Sequence, residues 1–413
     1  MNSKTGKIPN GLNALDIDLS TLKSEMNNEL KNLLHFWSSE ALDLEHGGFI
    51  GRIDYIGKKH KNATKGSVLN TRILWTFSAA FRITKDKKYK VIADKVYKYI
   101  TEHFWDDRNG GLFWEIDYLG KPLNKRKQAY AQGFGIYAFS EYYRATQNVE
   151  SLNFAKSLYY ILEDKFWDPK HSGYIEALNH DWTHIEDMRL SHKDLNTPKS
   201  MNTHLHILEP YTNLYRVWQN DKLKKSIISL LDIFQTKIID RNSGHFNLFF
   251  EMDWKAKSTT ISFGHDIEGA WLLHEAAQVI DEKELVESIQ KSALKLVNIT
   301  LNQGLDTDGS LFNEYDNNCF DKDKHWWPQA EAMVGLMDAY EIEPKQEYLA
   351  SIFKIWEFIK NNLIDTVNGE WFWRVDVDGK VISTDDKIGF WKCPYHNSRA
   401  LMEVISRIEN IKN

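Results

Sequence analysis

Hydrophobic positions along the chain define two kinds of helix in alternation. In "SVLNTRILWTFSAAFRIT" (67–84) apolar residues lie on nearly every side, whereas "KKYKVIADKVYKYITEHFW" (87–105) keeps one face polar. In the second segment Tyr89, Ile92, Val96, Ile100 and Phe104 recur at steps of three and four residues, the period of an amphipathic helix. A helix that is apolar all round must be enclosed, and an amphipathic one can enclose it. The same order returns further along. With an N-terminal helix (Leu22, Met26, Leu30, Leu33, Trp37) and a last one from Arg399 to Ile408, the count reaches about twelve.

A second pattern lies between the helix pairs. "HGGFIGRIDYIGK", "NGGLFWEIDYLGK", "HSGYIEALNHDW", "NSGHFNLFFEMDW", "DGSLFNEYDNN" and "NGEWFWRVDVDGK" each place a glycine ahead of alternating apolar and polar residues. Their marker glycines, Gly48, Gly111, Gly173, Gly244, Gly309 and Gly369, stand 60 to 71 residues apart. Period-two alternation closed by Asp-x-x-Gly or Asp-Trp predicts a short hairpin in each unit. Six near-equal units with enclosed first helices predict a closed ring, an all-α (α/α)6 barrel with short β-hairpins at one end. An open array would leave the inner helices exposed along a concave face. The whole chain, 1–413, is then read as a single domain, with residues 1–18 as a loose N-terminal tail.

In such a ring every inner helix starts at the hairpin end, so the residues that open these helices converge. They are Asn70 and Arg72; Tyr130 and Gln132; Asn202 and His206; His265, Glu268 and Trp271; Trp326, Trp327, Gln329 and Glu331; and Trp391, Tyr395, His396 and Arg399. Polar groups at the buried end of a packed ring are unfavourable by about 1–3 kcal/mol each unless bonded or used, which makes this mouth the candidate site. Indoles beside polar groups suit a sugar, whose faces are apolar and whose rim is hydroxyls. Imidazoles suit proton transfer near neutral pH. His204, two residues from His206, faces elsewhere on the helix and is read as structural. Trp75, Trp105, Trp167 and Trp356 are read as core.

Two alternatives stay open on the residues alone. His206, His265 and His396 together have the composition of a metal site. Glu268 and Glu331 have that of a glycosidase acid/base pair. Cys393-Pro-Tyr-His396 lacks the second ligand pair of a structural zinc site, so Cys393 is read as a packing residue.

Bulk composition narrows the partners. The net charge of −6 and the absence of a basic block disfavour nucleic acid. Two cysteines, Cys319 and Cys393, cannot make a disulfide framework. With no signal-peptide pattern and no apolar run of membrane length, a cytoplasmic protein without membrane contact is expected.

The motifs "RILW" (72–75), "MNTHLHILEPY" (201–211), "GHDIE" (264–268), "WWPQAEA" (326–332) and "WKCPYHN" (391–397) resemble those of the N-acylglucosamine 2-epimerase superfamily, most closely its cellobiose 2-epimerase branch. The resemblance runs over essentially the whole chain. It implies an (α/α)6 barrel and cofactor-independent, metal-free epimerisation at C2 of a reducing-end glucose or mannose unit. His265 and His396 match the family's paired acid/base histidines; Arg72 and His206 match groups near O1 and O2 of the substrate. Glu268 and Glu331 match carboxylates that orient histidines or hold hydroxyls, Trp327 and Trp391 match sugar-stacking indoles, and Tyr130 and Asn202 match further substrate contacts. Glu268, one helical turn from His265, is expected to bias an imidazole tautomer. The expected partner is a small-molecule sugar, a disaccharide ahead of free mannose, taken by a monomer or homodimer. The alternatives are 2-epimerisation or aldose–ketose isomerisation of a free monosaccharide and, behind these, a glycosidase or a sugar-binding scaffold.

Overall fold

The computed structural model describes residues 18–411; the N-terminal tail expected over 1–18 lies outside them except for Asp18, which caps the first helix through its carboxylate. Twelve α-helices follow in chain order: α1 (Leu19–Ser39), α2 (Ser67–Thr84), α3 (Lys87–His103), α4 (Ala129–Thr146), α5 (Val149–Ile161), α6 (Met201–Tyr215), α7 (Asp221–Ile233), α8 (Phe263–Ile280), α9 (Lys283–Gly304), α10 (Trp326–Ile342), α11 (Gln346–Phe358) and α12 (Tyr395–Ile411). The even-numbered helices contact one another in a cycle, α2 to α4 to α6 to α8 to α10 to α12 and back to α2. The odd-numbered ones pack outside them, and α1 covers α12, so the first helix of the chain completes the outer layer of the last unit. This is the (α/α)6 barrel. The apolar-all-round segments are the inner ring: fourteen of the eighteen residues of α2, and as many of α4, are buried.

The six marker glycines all have positive φ, from 65° to 89°, a region closed to most L-residues. Each sits in a turn joined by a backbone bridge, such as Trp105 to Leu112 or Ile364 to Trp371. Beyond that bridge each unit folds back on itself in the expected hairpin, as where Glu115–Ile116 pairs with Pro122–Asn124 and Glu314–Asp316 with Cys319–Asp321, and it also pairs with its neighbour. The strand entering α2 (Lys65–Gly66) pairs with Glu115–Ile116 of the next unit, Lys127–Gln128 with Ala177–Leu178, and Lys199–Ser200 with Phe249–Phe250. The chain of pairings closes where Ile388, ahead of α12, bridges to Ile53 of the first unit.

Lysines fasten these turns. Lys65, Lys127, Lys199 and Lys324 reach buried or half-buried Asp43, Asp106, Asp168 and Asp306 at 2.8–2.9 Å, and Lys387 holds Asp365. The fourth unit departs from the rule: Ile261 stands where lysine precedes the other helices, and His245 paired with Asp266 at 2.6 Å takes over the turn. Trp75 and Trp356 are buried as expected, while Trp105 and Trp167 are half-buried at the turns. Cys393 is fully buried and Cys319 exposed, both free. No helix among the described residues is long and apolar enough to cross a membrane.

Ring closure rests on Glu370. Its carboxylate accepts the indole N–H of Trp37 from α1, Lys392 Nζ at 2.7 Å and Asn397 Nδ2 at 2.7 Å. Glu370→Ala strands the fully buried Lys392 ammonium and should destabilise the fold by about 3–5 kcal/mol, read as a lower urea midpoint. A loss under about 1 kcal/mol would contradict this closure.

Candidate active site

The sixfold register sorts the polar residues of the mouth into layers. Arg72, Phe134, His206, Glu268 and Glu331 are each the sixth residue of their inner helix, and Arg399 completes that layer from α12. Two residues earlier stand Gln132, His204, Asp266 and Gln329, which bind the backbone beside the marker glycines. Gln132 accepts from Leu112 N at 2.7 Å, His204 from Tyr174 N at 2.8 Å, Asp266 from Phe246 N at 2.9 Å and Gln329 from Leu311 N at 2.7 Å. These four are clamps for the turns. The structural reading of His204 holds, and Gln132 and Gln329 leave the set of site groups.

Arg399 ties the sixth-residue layer together. Its guanidinium donates to Glu209, to Glu268 Oε1 at 2.7 Å and to Glu331 Oε1 at 2.6 Å, and its plane lies 4.7 Å from the ring of Trp271. Burial works to raise the Glu209 carboxyl, but Arg399 and His206 outweigh it and hold it down at about 2. Burial, reinforced by Glu331, pushes Glu268 well above the usual carboxylate range. Its Oε2 has no protein partner and lies 4.0 Å from His206 Nε2. Glu268, Glu331 and His396 bring ligand atoms within 4.8 Å of one another, but Arg399 already supplies the positive charge between the two carboxylates. The three-histidine metal set is not brought to that spacing among the described residues.

Each of the three histidines is held by Nδ1. His206 Nδ1 lies 3.0 Å from Glu209 Oε2, His396 Nδ1 lies 2.7 Å from Glu331 Oε1, and His265 Nδ1 lies 2.8 Å from Ser262 Oγ. The expectation that Glu268 orients His265 is therefore corrected: Glu268 is committed to Arg399, and a serine three residues earlier holds the imidazole. Glu331 takes N–H donors on both oxygens, Arg399 on Oε1 and Trp271 on Oε2, so it meets His396 as an acceptor. Burial lowers all three imidazoles: His265 to about 3, His206 to a lesser degree, and His396 well below the ordinary value with Arg72 and Arg399 adding to the effect. They rest neutral.

His265 and His396 occupy equivalent positions, each three residues ahead of its helix's member of the charged layer, on the two helices that flank α10. Trp327 of α10 touches both, with ring centroids 4.7 Å from His265 and 5.6 Å from His396. Gly264 makes room for that indole, since a Cβ there would fall 2.5 Å from it. Across the ring, Pro210 lacks the N–H that would bond the His206 carbonyl, and Gly133 of α4 lies against that carbonyl, where a Cβ would come within 2.4 Å.

Arg72 is buried, yet its hydrogen bonds go to the Tyr130 hydroxyl at 2.8 Å and the Cys393 thiol at 3.9 Å rather than to a carboxylate. Phe134 and Tyr395 lie 4.2 and 4.7 Å from it, and Nε has no partner. Tyr130 also contacts His206 and Trp391, with centroids 5.1 and 5.6 Å away.

A cavity of about 920 Å³ opens at the hairpin end, and Asn202, His265 and Trp327 line it. The walls do not include His396, Glu268, Glu331, Arg72, Tyr130 or His206, nor Trp391, which packs half-buried on Trp114 and Phe390. Four wall residues carry buried polar atoms without a protein partner: Glu176 Oε1, Asn202 Oδ1, Ser258 Oγ and His325 Nε2. The sequence reading missed Glu209, Ser262 and Glu176. A search for hydrogen-bonding residues three positions from each histidine would have found the first two.

A family model for N-acylglucosamine 2-epimerase matches residues 48–400. The chain belongs to that family. It is 44% identical to the cellobiose 2-epimerase of Bacteroides fragilis, over 93% of this chain and 98% of that one. It is 39% identical to that of Dictyoglomus turgidum, over 95% and 100%. The solved cellobiose 2-epimerase of Bacillus thermoamylovorans superposes with a TM-score of 0.91 at 39% identity, covering 94% of this chain and 100% of that one. These epimerases resemble the chain end to end across the described ring, and the layered residues fall inside the matched span.

Glu176 gives this family member a measurable pH signature. Burial raises its carboxyl to about 8, so the fold keeps a proton that the unfolded chain loses near 4.5. Stability therefore falls as pH rises through that window, by about 1.4 kcal/mol per unit. In Glu176→Gln the urea midpoint should gain on the native protein steadily from roughly pH 5 to pH 8. Parallel curves would mean the carboxyl is ionised in the fold.

Proposed function

We propose that the chain inverts C2 of the reducing-end glucose or mannose unit of a β-1,4-linked disaccharide, with His265 and His396 as its two proton carriers. It is a carbohydrate epimerase of the cellobiose 2-epimerase type. The observation that carries the assignment of roles is the equivalent placement of these histidines on α8 and α12, both against Trp327.

The chemistry follows from the substrate. The pyranose opens to the aldehyde, which acidifies the C2 hydrogen. One imidazole Nε2 removes it, becoming an imidazolium and leaving a cis-enediolate. The other, having first taken a proton from solvent on its own Nε2, gives that proton to the opposite face of C2 and returns to the neutral form. A lone base would tend to return the proton to the face it came from, so two opposed carriers account for inversion.

The enediolate oxygens need fixed positive charge. Arg72 supplies it, because no carboxylate neutralises its guanidinium and it enters the reaction already desolvated. His206, oriented by Glu209, adds a second group at the oxygens. Glu268, its carboxyl raised by burial and by Glu331, presents Oε2 to a hydroxyl. Trp327 is the platform for the sugar face, Asn202 a polar contact on the cavity wall, and Tyr130 with Trp391 brackets the Arg72 side.

The 920 Å³ cavity lies near the upper end of the range for small-ligand pockets, which favours a second sugar ring over a free hexose. Glu268 and Glu331 share one nitrogen of Arg399 instead of flanking a cleft, which argues against glycoside hydrolysis.

A proton NMR time course with cellobiose, mannose and N-acetylglucosamine separates the substrate classes. Cellobiose should give its C2 epimer fastest, and His265→Ala and His396→Ala should each lower that rate by about 10²–10⁴-fold. A ketose as main product, or either variant turning over at the native rate, would contradict the assignment.

A further inference from the structure

The two proton carriers have different partners, and the ring's own symmetry shows why. His396 rests Nδ1 on Glu331, the sixth residue of the inner helix before its own. The corresponding sixth residue before α8 is His206, so no carboxylate stands in the equivalent place beside His265. Its Nδ1 meets the hydroxyl of Ser262 instead, at 2.8 Å, and Ser262 is almost wholly buried.

Ser262 is the N-cap of α8. Ser200, the N-cap of α6, uses its hydroxyl in the ordinary way, accepting the backbone N–H of Thr203 at 3.1 Å. Ser262 makes no such capping bond. A helix that leaves its cap unmade while its N-cap serine contacts a histidine breaks a local rule at the site, which is where such departures concentrate.

We propose that Ser262 is a positioning residue: its Oγ accepts Nδ1–H of His265 and so leaves Nε2 as the nitrogen that exchanges the C2 proton. The proposal rests on the reading of His265 as a proton carrier. In the neutral imidazole Nδ1–H donates to the serine and Nε2 offers its lone pair. After Nε2 takes the C2 proton, Nδ1–H still donates to the same oxygen, so the ring need not turn during the reaction. The other charged or titratable groups acting on His265 are His206 from α6 and Glu331 from α10, and burial keeps the imidazole neutral at rest. The serine holds the ring through a hydroxyl, whereas His396 rests on a carboxyl oxygen of Glu331.

The test is steady-state kinetics on cellobiose with native protein, Ser262→Ala and Ser262→Thr, each first checked for native circular dichroism, together with nitrogen NMR of imidazole-labelled protein. Ser262→Ala should lower kcat by about 10–100-fold with KM within about twofold, as expected when a group that orients a reacting side chain is removed. Ser262→Thr should restore most of the rate. In the native protein the His265 signal should be that of the Nδ1–H tautomer, with Nε2 unprotonated. Unchanged kcat in Ser262→Ala, or an Nε2–H tautomer in the native protein, overturns the proposal. Native protein that leaves cellobiose unepimerised instead overturns the functional reading on which it stands.

Discussion

One buried cation organises the centre of this barrel. Arg399 of α12 binds Glu209 from α6, Glu268 from α8 and Glu331 from α10, so four of the six inner helices meet at a single guanidinium. Its planar fork can serve several carboxylates at once, which an ammonium could not do in the same geometry. Burying such a cluster is a weak route to stability, since well-packed apolar residues commonly do as well. Its effect here is positional. Glu209 carries His206 and Glu331 carries His396, so the orientation of two of the three imidazoles is inherited from Arg399.

Arg72 is the complement of that arrangement. One arginine is surrounded by three carboxylates while the other, on the same layer of the ring, has a phenol, a thiol and aromatic faces. The first is neutralised and structural. The second keeps its charge for a substrate oxygen. Sixfold repetition makes the contrast legible, because equivalent positions on successive helices are filled by Arg, Phe, His, Glu, Glu and Arg according to what each must hold.

The repeat showed through the sequence because its turns require positive φ, and glycine marks each of them. The enclosed inner helices showed because burial on all sides leaves no polar face, and the first turns of those helices then pointed to the site. The pairings were hidden. Glu268 lies one turn from His265 in sequence but bonds Arg399, 131 residues away, a contact created only when the ring closes. Gln132 and Gln329 looked like site residues because any polar group at a buried helix start does; only the backbone bonds they make identify them as clamps. The hairpins were visible, but their pairing with the next unit, and the lysines fastening their turns, depend on neighbours that periodicity does not reveal.

The central claim is that two opposed histidines move the C2 proton through solvent-exchangeable nitrogens. It is tested most directly by running the reaction on cellobiose in D2O and following C2 by NMR through the first turnovers. The account predicts that epimerised product carries deuterium at C2 from its first appearance, while substrate recovered early keeps its hydrogen. Product formed with the original hydrogen still on C2 would contradict the account.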